Sequence, residues 1–191
     1  PTMTKQPVPD SWYSYGTACT GVQVGTPLDT SSWAYSQTLV IDSDLVGENL
    51  TNFPALLSDG VFVDDVYTNT LSSGADLRFT SDALGTNELA FEVVSWDQSA
   101  KTSEVWVNIP SVLASTDTSI YVWYGNSSAV EYASGETYGS QNVWDDYVLV
   151  MHMSQSGTAS WDSTDNYNNA KSSMTIASNV GKVGTAADFE A

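Results

Sequence analysis

Positive charge is scarce in this chain. Lys and Arg total 5 against 23 Asp and Glu, which leaves −18 over 191 residues. A nucleic-acid binder needs a basic footprint to displace counterions from phosphate, so no nucleic-acid partner is expected, and binding to anionic lipid is disfavoured for the same reason. Cysteine and histidine are nearly missing too. One Cys, Cys19, forms no internal disulfide, and with His152 as the single His no Cys/His zinc site is to be built. No run of 18 apolar residues occurs, so no helical membrane span is expected. A basic stretch leading into an apolar one, the mark of a signal peptide, is also lacking. Helical periodicity is almost absent, with only "SSAVEYA" at 127–133 offering a turn or two.

What is present is apolar and aromatic. Hydrophobic residues make up 41% and aromatics 12%, enough to build a packed core. Residues 1–32 are rich in Pro, Ser, Thr and Gly and read as an extended arm, sticky at Trp12, Tyr13 and Tyr15. From Trp33 the pattern changes to short strands: 36–42, 60–66, 75–81, 88–96, 103–110 and 118–126. Turn residues separate them, as at Asp59-Gly60 and Tyr124-Gly125-Asn126. Many short, evenly spaced strands predict an all-β antiparallel sandwich over 33–133.

Period-two alternation divides each strand into two faces. Leu89, Phe91, Val93, Val105, Val107, Ile109, Ile120 and Val122 fall on the aliphatic, inward side. Trp96, Trp106, Tyr121 and Trp123 fall on the other side and form the candidate ligand-binding set. Flat rings can stack on the apolar faces of sugar units, which makes glycan the ligand class to consider. Large exposed rings are more often covered by protein, here by the arm, a following module or another subunit.

Asp outnumbers Glu by 16 to 7, a bias that suits turns and oxygen ligation. The densest oxygen cluster is Asp162, Asp165, Asn166 and Asn168, for which calcium is the one metal worth carrying. The cluster lacks the central Gly and terminal Glu of an EF-hand loop, and Asx turns explain it without metal, so no cofactor is expected. His152 has no Gly-x-Ser-x-Gly elbow to serve and reads as a partly buried, hydrogen-bonded side chain. Glu88, Glu92 and Glu104 lie on predicted strands, with nothing in the sequence singling out an acid–nucleophile pair. No enzymatic activity is expected.

The succession "LTNFPALL" (50–57), "SGADLRFTS" (73–81), "ELAFEVVSWD", "EVWVNIPSV" (104–112) and "SIYVWYGN" (119–126) resembles an uncharacterised β-sandwich family. Its members occur in bacterial and archaeal surface proteins and in some proteins related to ExbB/TolQ proton channels. The resemblance implies an architecture and no catalytic residue. In that family a laminin-G or concanavalin A-like jelly roll commonly follows. "VWDDYVLVMHMSQS" (143–156) and "GKVGTAADFEA" (181–191) look like its first strands, which makes 134–191 a linker and an incomplete lectin-like segment. The expected function is a structural or attachment module of an extracellular, cell-surface or virion-surface assembly. It would join copies of itself or a neighbouring chain through its C-terminal strands. The other reading is a carbohydrate-binding module of a larger adhesin or polysaccharide-active enzyme.

Overall fold

The computed structural model describes residues 27–153, 161–170, 179–181, 183 and 185–186. Most of the expected arm, with Trp12, Tyr13, Tyr15 and Cys19, lies outside these residues, as does Phe189. The elements run β1 (Tyr35–Ile41), β2 (Leu50–Ser58), α1 (Asp64–Asn69), β3 (Arg78–Thr80), β4 (Glu88–Leu89), β5 (Phe91–Asp97), β6 (Thr102–Val112) and β7 (Thr118–Tyr124). Two short strands, β8 (Asn179–Val180) and β9 (Thr185–Ala186), pair with each other. A four-stranded sheet, β1-β7-β3-β4, faces a three-stranded one, β2-β6-β5, and every pairing is antiparallel. The protein is an all-β sandwich. No helix among the described residues is long and apolar enough to cross a membrane.

Alternation sets the core. Val105, Val107 and Ile109 from one sheet meet Phe79, Ile120 and Val122 from the other, and all are buried. Each such side chain contributes roughly 1.5–3 kcal/mol through its removal from water. Leu89 and Phe91 join them, and Val93 packs against the same cluster. Pro54 falls on β2, an edge strand, where a missing N–H costs the sheet no interior bond. After β7 the chain turns at Gly125, whose φ of +85° strains any other residue. The N–H groups of Gly125 and Asn126 there donate to the buried Asp76 carboxylate, which also accepts from Leu71 N.

The structure corrects the sequence reading in several places. The stretch 60–66 is a turn leading into α1, where Asp64 and Asp65 suit a helix N-terminus and Val66 and Tyr67 are buried. The single strand expected over 88–96 breaks at Ala90 and changes sheets, so β4 pairs with β3 while β5 pairs with β6. A bulge between Val93 and Ser95 then shifts the alternation by one residue. Trp96 is thereby turned inward, stacked on Tyr67 at 4.6 Å and edge-on to Phe62 at 5.4 Å.

The predicted jelly-roll strand at 147–153 carries no ladder. Side chains occupy its backbone groups instead. Val150 N donates to Asp162 Oδ1, and Asn166 and Asn168 Nδ2 donate to the carbonyls of Tyr147 and Val148. Contacts also continue across the expected boundary at 133/134, because Phe91 N donates to Tyr138 O and Asn108 Nδ2 to Asn142 O.

Candidate functional site

The outer face of the three-stranded sheet gathers the chemistry. Opposite Val105 and Val107, β6 presents Glu104 and Trp106, and β5 places Glu92 directly across from Trp106. Residues 144–153 and 161–163 lie over this face and bring the single His with them. His152 lies between the two carboxylates, with Nε2 2.9 Å from Glu92 Oε2 and Nδ1 3.4 Å from Glu104 Oε1. Trp144 Nε1 donates to Glu92 Oε2 at 2.6 Å, and Ser163 Oγ donates to Glu92 Oε1 at 2.7 Å. Trp106 Nε1 donates to Glu104 Oε1 at 3.2 Å. The indoles of Trp106 and Trp144 are 5.2 Å apart and both flank the imidazole.

All three charged side chains are buried or nearly so: His152 is 7% exposed, Glu92 14% and Glu104 8%. Burial alone would push the imidazole below its ordinary value. The hydrogen bonds and negative charges of Glu104 and Glu92 outweigh it and raise the pKa to about 9. Burial likewise opposes ionisation of Glu104, yet His152 and the Trp106 N–H hold it below the usual carboxylate range. The centre is therefore an imidazolium held by two carboxylates. General acid–base work needs a substrate proton within about 3 Å of a ring nitrogen, and here a carboxylate occupies each nitrogen. The arrangement acts as a clasp that fastens the returning segment to the sandwich.

The four aromatic candidates do not share one platform. Trp96 is inward. Trp106 lies on the outer face of the three-stranded sheet beneath Trp144 and His152. Tyr121 and Trp123 are half-buried on the outer face of the other sheet, where Trp123 Nε1 donates to Thr80 Oγ1 at 2.9 Å. Trp106, Tyr121 and Trp123 lie on outward faces, as the alternation implies, but β6 and β7 belong to opposite sheets.

Three of the four residues in the oxygen cluster, Asp162, Asn166 and Asn168, are engaged by the chain itself. Asp162 Oδ1 accepts from Val150 N and Thr164 N, and Oδ2 accepts from Thr164 Oγ1 and Asn168 N. Asn166 and Asn168 direct their amide N–H groups to the 147–148 carbonyls, and Asp165 is exposed. Among the described residues no group of three or more His, Cys, Asp or Glu side chains converges to hold a metal ion. Chelation by EDTA is therefore expected to leave the melting temperature nearly unchanged. A fall of many degrees that calcium restores would contradict this.

A second polar cluster lies on the outer face of the four-stranded sheet. Arg78, buried, donates to the carbonyls of Ala75, Leu77 and Val130, and lies 4.1 Å from the Tyr132 ring centre. Glu88 accepts from Tyr132 Oη at 2.9 Å, and its Oε1 is 3.7 Å from Arg78 Nε. Burial raises the Glu88 pKa against the pull of Tyr132 and Arg78. Beside this cluster opens a cavity of about 610 Å³ whose lining includes Glu88, Tyr138, Asn52, Asn108, Asn142 and Asp145.

Residues 73–165 match the model of a family described as Domain of unknown function (DUF2341). The matched stretch contains Asp76, Arg78, Glu92, Glu104, His152 and Ser163, so it covers β3 to β7 and residues clasped to them but not β1 and β2. Neither the curated proteins nor the solved structures gave a significant match.

Proposed function

We propose that this chain is a non-enzymatic structural and attachment module of an assembly outside the cell, at a cell or virion surface. One observation carries the reading. The chain's only histidine and two of its buried acids are spent on seating its own returning segment against the sandwich, not on an open cleft. A module built this way holds its clasped segment at a fixed angle to the sandwich, as a link in an assembly must. The acid excess suits a solvated outer surface. The C-terminal part supplies the attachment surface, for Val148 is 76% exposed and Trp161 57%, alongside Tyr147 and Leu149. The jelly-roll continuation of 134–191 belongs to this same proposal, with β8 and β9 as its first hairpin.

The 610 Å³ cavity favours carbohydrate binding as a second reading, because amides and carboxylates beside a tyrosine ring suit sugar hydroxyls. A glycan array probed with the intact protein and with Tyr138→Ala separates the two. The structural reading expects background signal for both proteins and self-association that grows with concentration. Glycan signal that disappears in Tyr138→Ala would replace it with the second reading.

A further inference from the structure

The two edge strands leave an open mouth between the sheets. β1 borders the four-stranded sheet and β2 the three-stranded one, and among the described residues each is paired on one side only. A cavity of about 720 Å³ lies between them, lined by Leu39, Ile41, Phe53, Ala55, Leu57 and Val61 among others, and no described lining residue is charged. The connection 42–49 closes one end. At the other end Gln37 Nε2 donates to Val61 O, and Val63 N donates to Gln37 Oε1, both at 3.2 Å. Between these stops, 37–41 and 53–57 give a bed of about 17 Å at the rise of a strand. An apolar bed beside two strand edges with no partner among the described residues fits an extended segment with small apolar side chains at alternate positions.

We propose that residues 21–25 of a second copy, Gly-Val-Gln-Val-Gly, dock in this mouth as an added strand. Val22 and Val24 share one face of such a strand and Gln23 takes the other. Residues 1–26 carry only Lys5 and Asp10, so they have no net charge in a chain of −18 and approach its body without repulsion. The point of attachment favours a second copy. Leu28 N donates to Gly85 O at 2.9 Å, in the turn between β3 and β4. That anchor is two to three strand spacings from β1, about 10–14 Å. Val24, four residues before Leu28, reaches about 13 Å when fully extended. Filling its own mouth would draw this stretch taut, whereas a neighbour's mouth imposes no such limit. An arm leaving one body and entering the next is a heterologous contact that repeats from copy to copy. The inference rests on the assembly reading above and supplies its joint.

The test uses full chains in a Cys19→Ser background, one carrying Val24→Cys and the other Phe53→Cys, mixed and oxidised. A disulfide-linked pair with one copy of each is expected on a non-reducing gel, and adding Val22→Asp should abolish it. No linkage overturns the proposal. So does a chain carrying both cysteines that links only within itself, which would place the segment in its own mouth. Sedimentation of the unmodified protein separates the two levels. Association without linkage refutes this joint alone, and a monomer at every concentration refutes the assembly reading with it.

Discussion

Replacing His152 by alanine should cost roughly 3–5 kcal/mol, because it leaves Glu92 and Glu104 buried together with no cation between them. The loss should appear as a lower urea midpoint and as early proteolytic release of the segment beyond Trp144. The response to pH should move as well. In the unmodified protein the His152 pKa is raised to about 9 from 6.5. Its contribution, on the order of 2–3 kcal/mol, is complete below 6.5 and is lost as pH rises through about 9. Glu104, held below its ordinary value, works at the other end, and its share is lost as pH falls through the carboxylate range. The clasp is therefore strongest from mildly acidic pH to near neutrality. In His152→Ala the alkaline loss should vanish. Stability should instead rise on acidification, as one of the two carboxyls takes up a proton and relieves the repulsion. An unchanged pH profile in this variant would show that the imidazole carries no charge in the folded protein.

The sequence made the sandwich and its inward faces legible because period two survives wherever a strand is regular. Val105, Val107, Ile109, Ile120 and Val122 needed only their neighbours in the chain to be placed. Trp96 was misplaced because a bulge adds one residue without any compositional sign. The sheet change at Ala90 left no mark for the same reason, since Leu89 and Phe91 alternate as though one strand ran through them. The clasp was half visible. Alternation puts Glu92, Glu104 and Trp106 on outward positions, but local pattern does not say that β5 and β6 are neighbours. It also does not say that His152 returns to them, because that pairing is made by tertiary packing. In 162–168 the abundance of side-chain oxygen was visible and its use was not. Those side chains hold the backbone of 147–150, which is why the apolar run "YVLV" does not enter a ladder. The "SGADLRFTS" stretch is likewise engaged in holding the fold, with Asp76 closing the turn at Gly125 and Arg78 pinning the chain at Val130.

Arg78 is expected to show the other large effect. Its guanidinium reaches three backbone carbonyls, faces the Tyr132 ring and stands against Glu88, whose side chain is 2% exposed. Arg78→Ala removes every one of these contacts and leaves a buried carboxyl with no cation. A loss of roughly 3–5 kcal/mol in urea unfolding should follow. Arg78→Lys restores the charge but not the planar fork that serves Ala75, Leu77 and Val130 together, so it should recover less than half of that loss. The pH dependence gives an independent check. Burial already raises the Glu88 pKa, and loss of the arginine removes one of the two pulls that oppose it. A carboxyl with a raised folded pKa gains stability as pH falls through that value, so acidification should partly rescue Arg78→Ala. Tyr132 should report the same change spectroscopically. Burial, with the Glu88 charge behind it, pushes its phenol up to about 12 against the opposing pull of Arg78, and removing the arginine should drive it higher still. Arg78→Ala that unfolds within about 1 kcal/mol of the unmodified protein would mean that the buried guanidinium costs as much in desolvation as its partners return, and the outer face of this sheet would then be held by its aromatic packing alone.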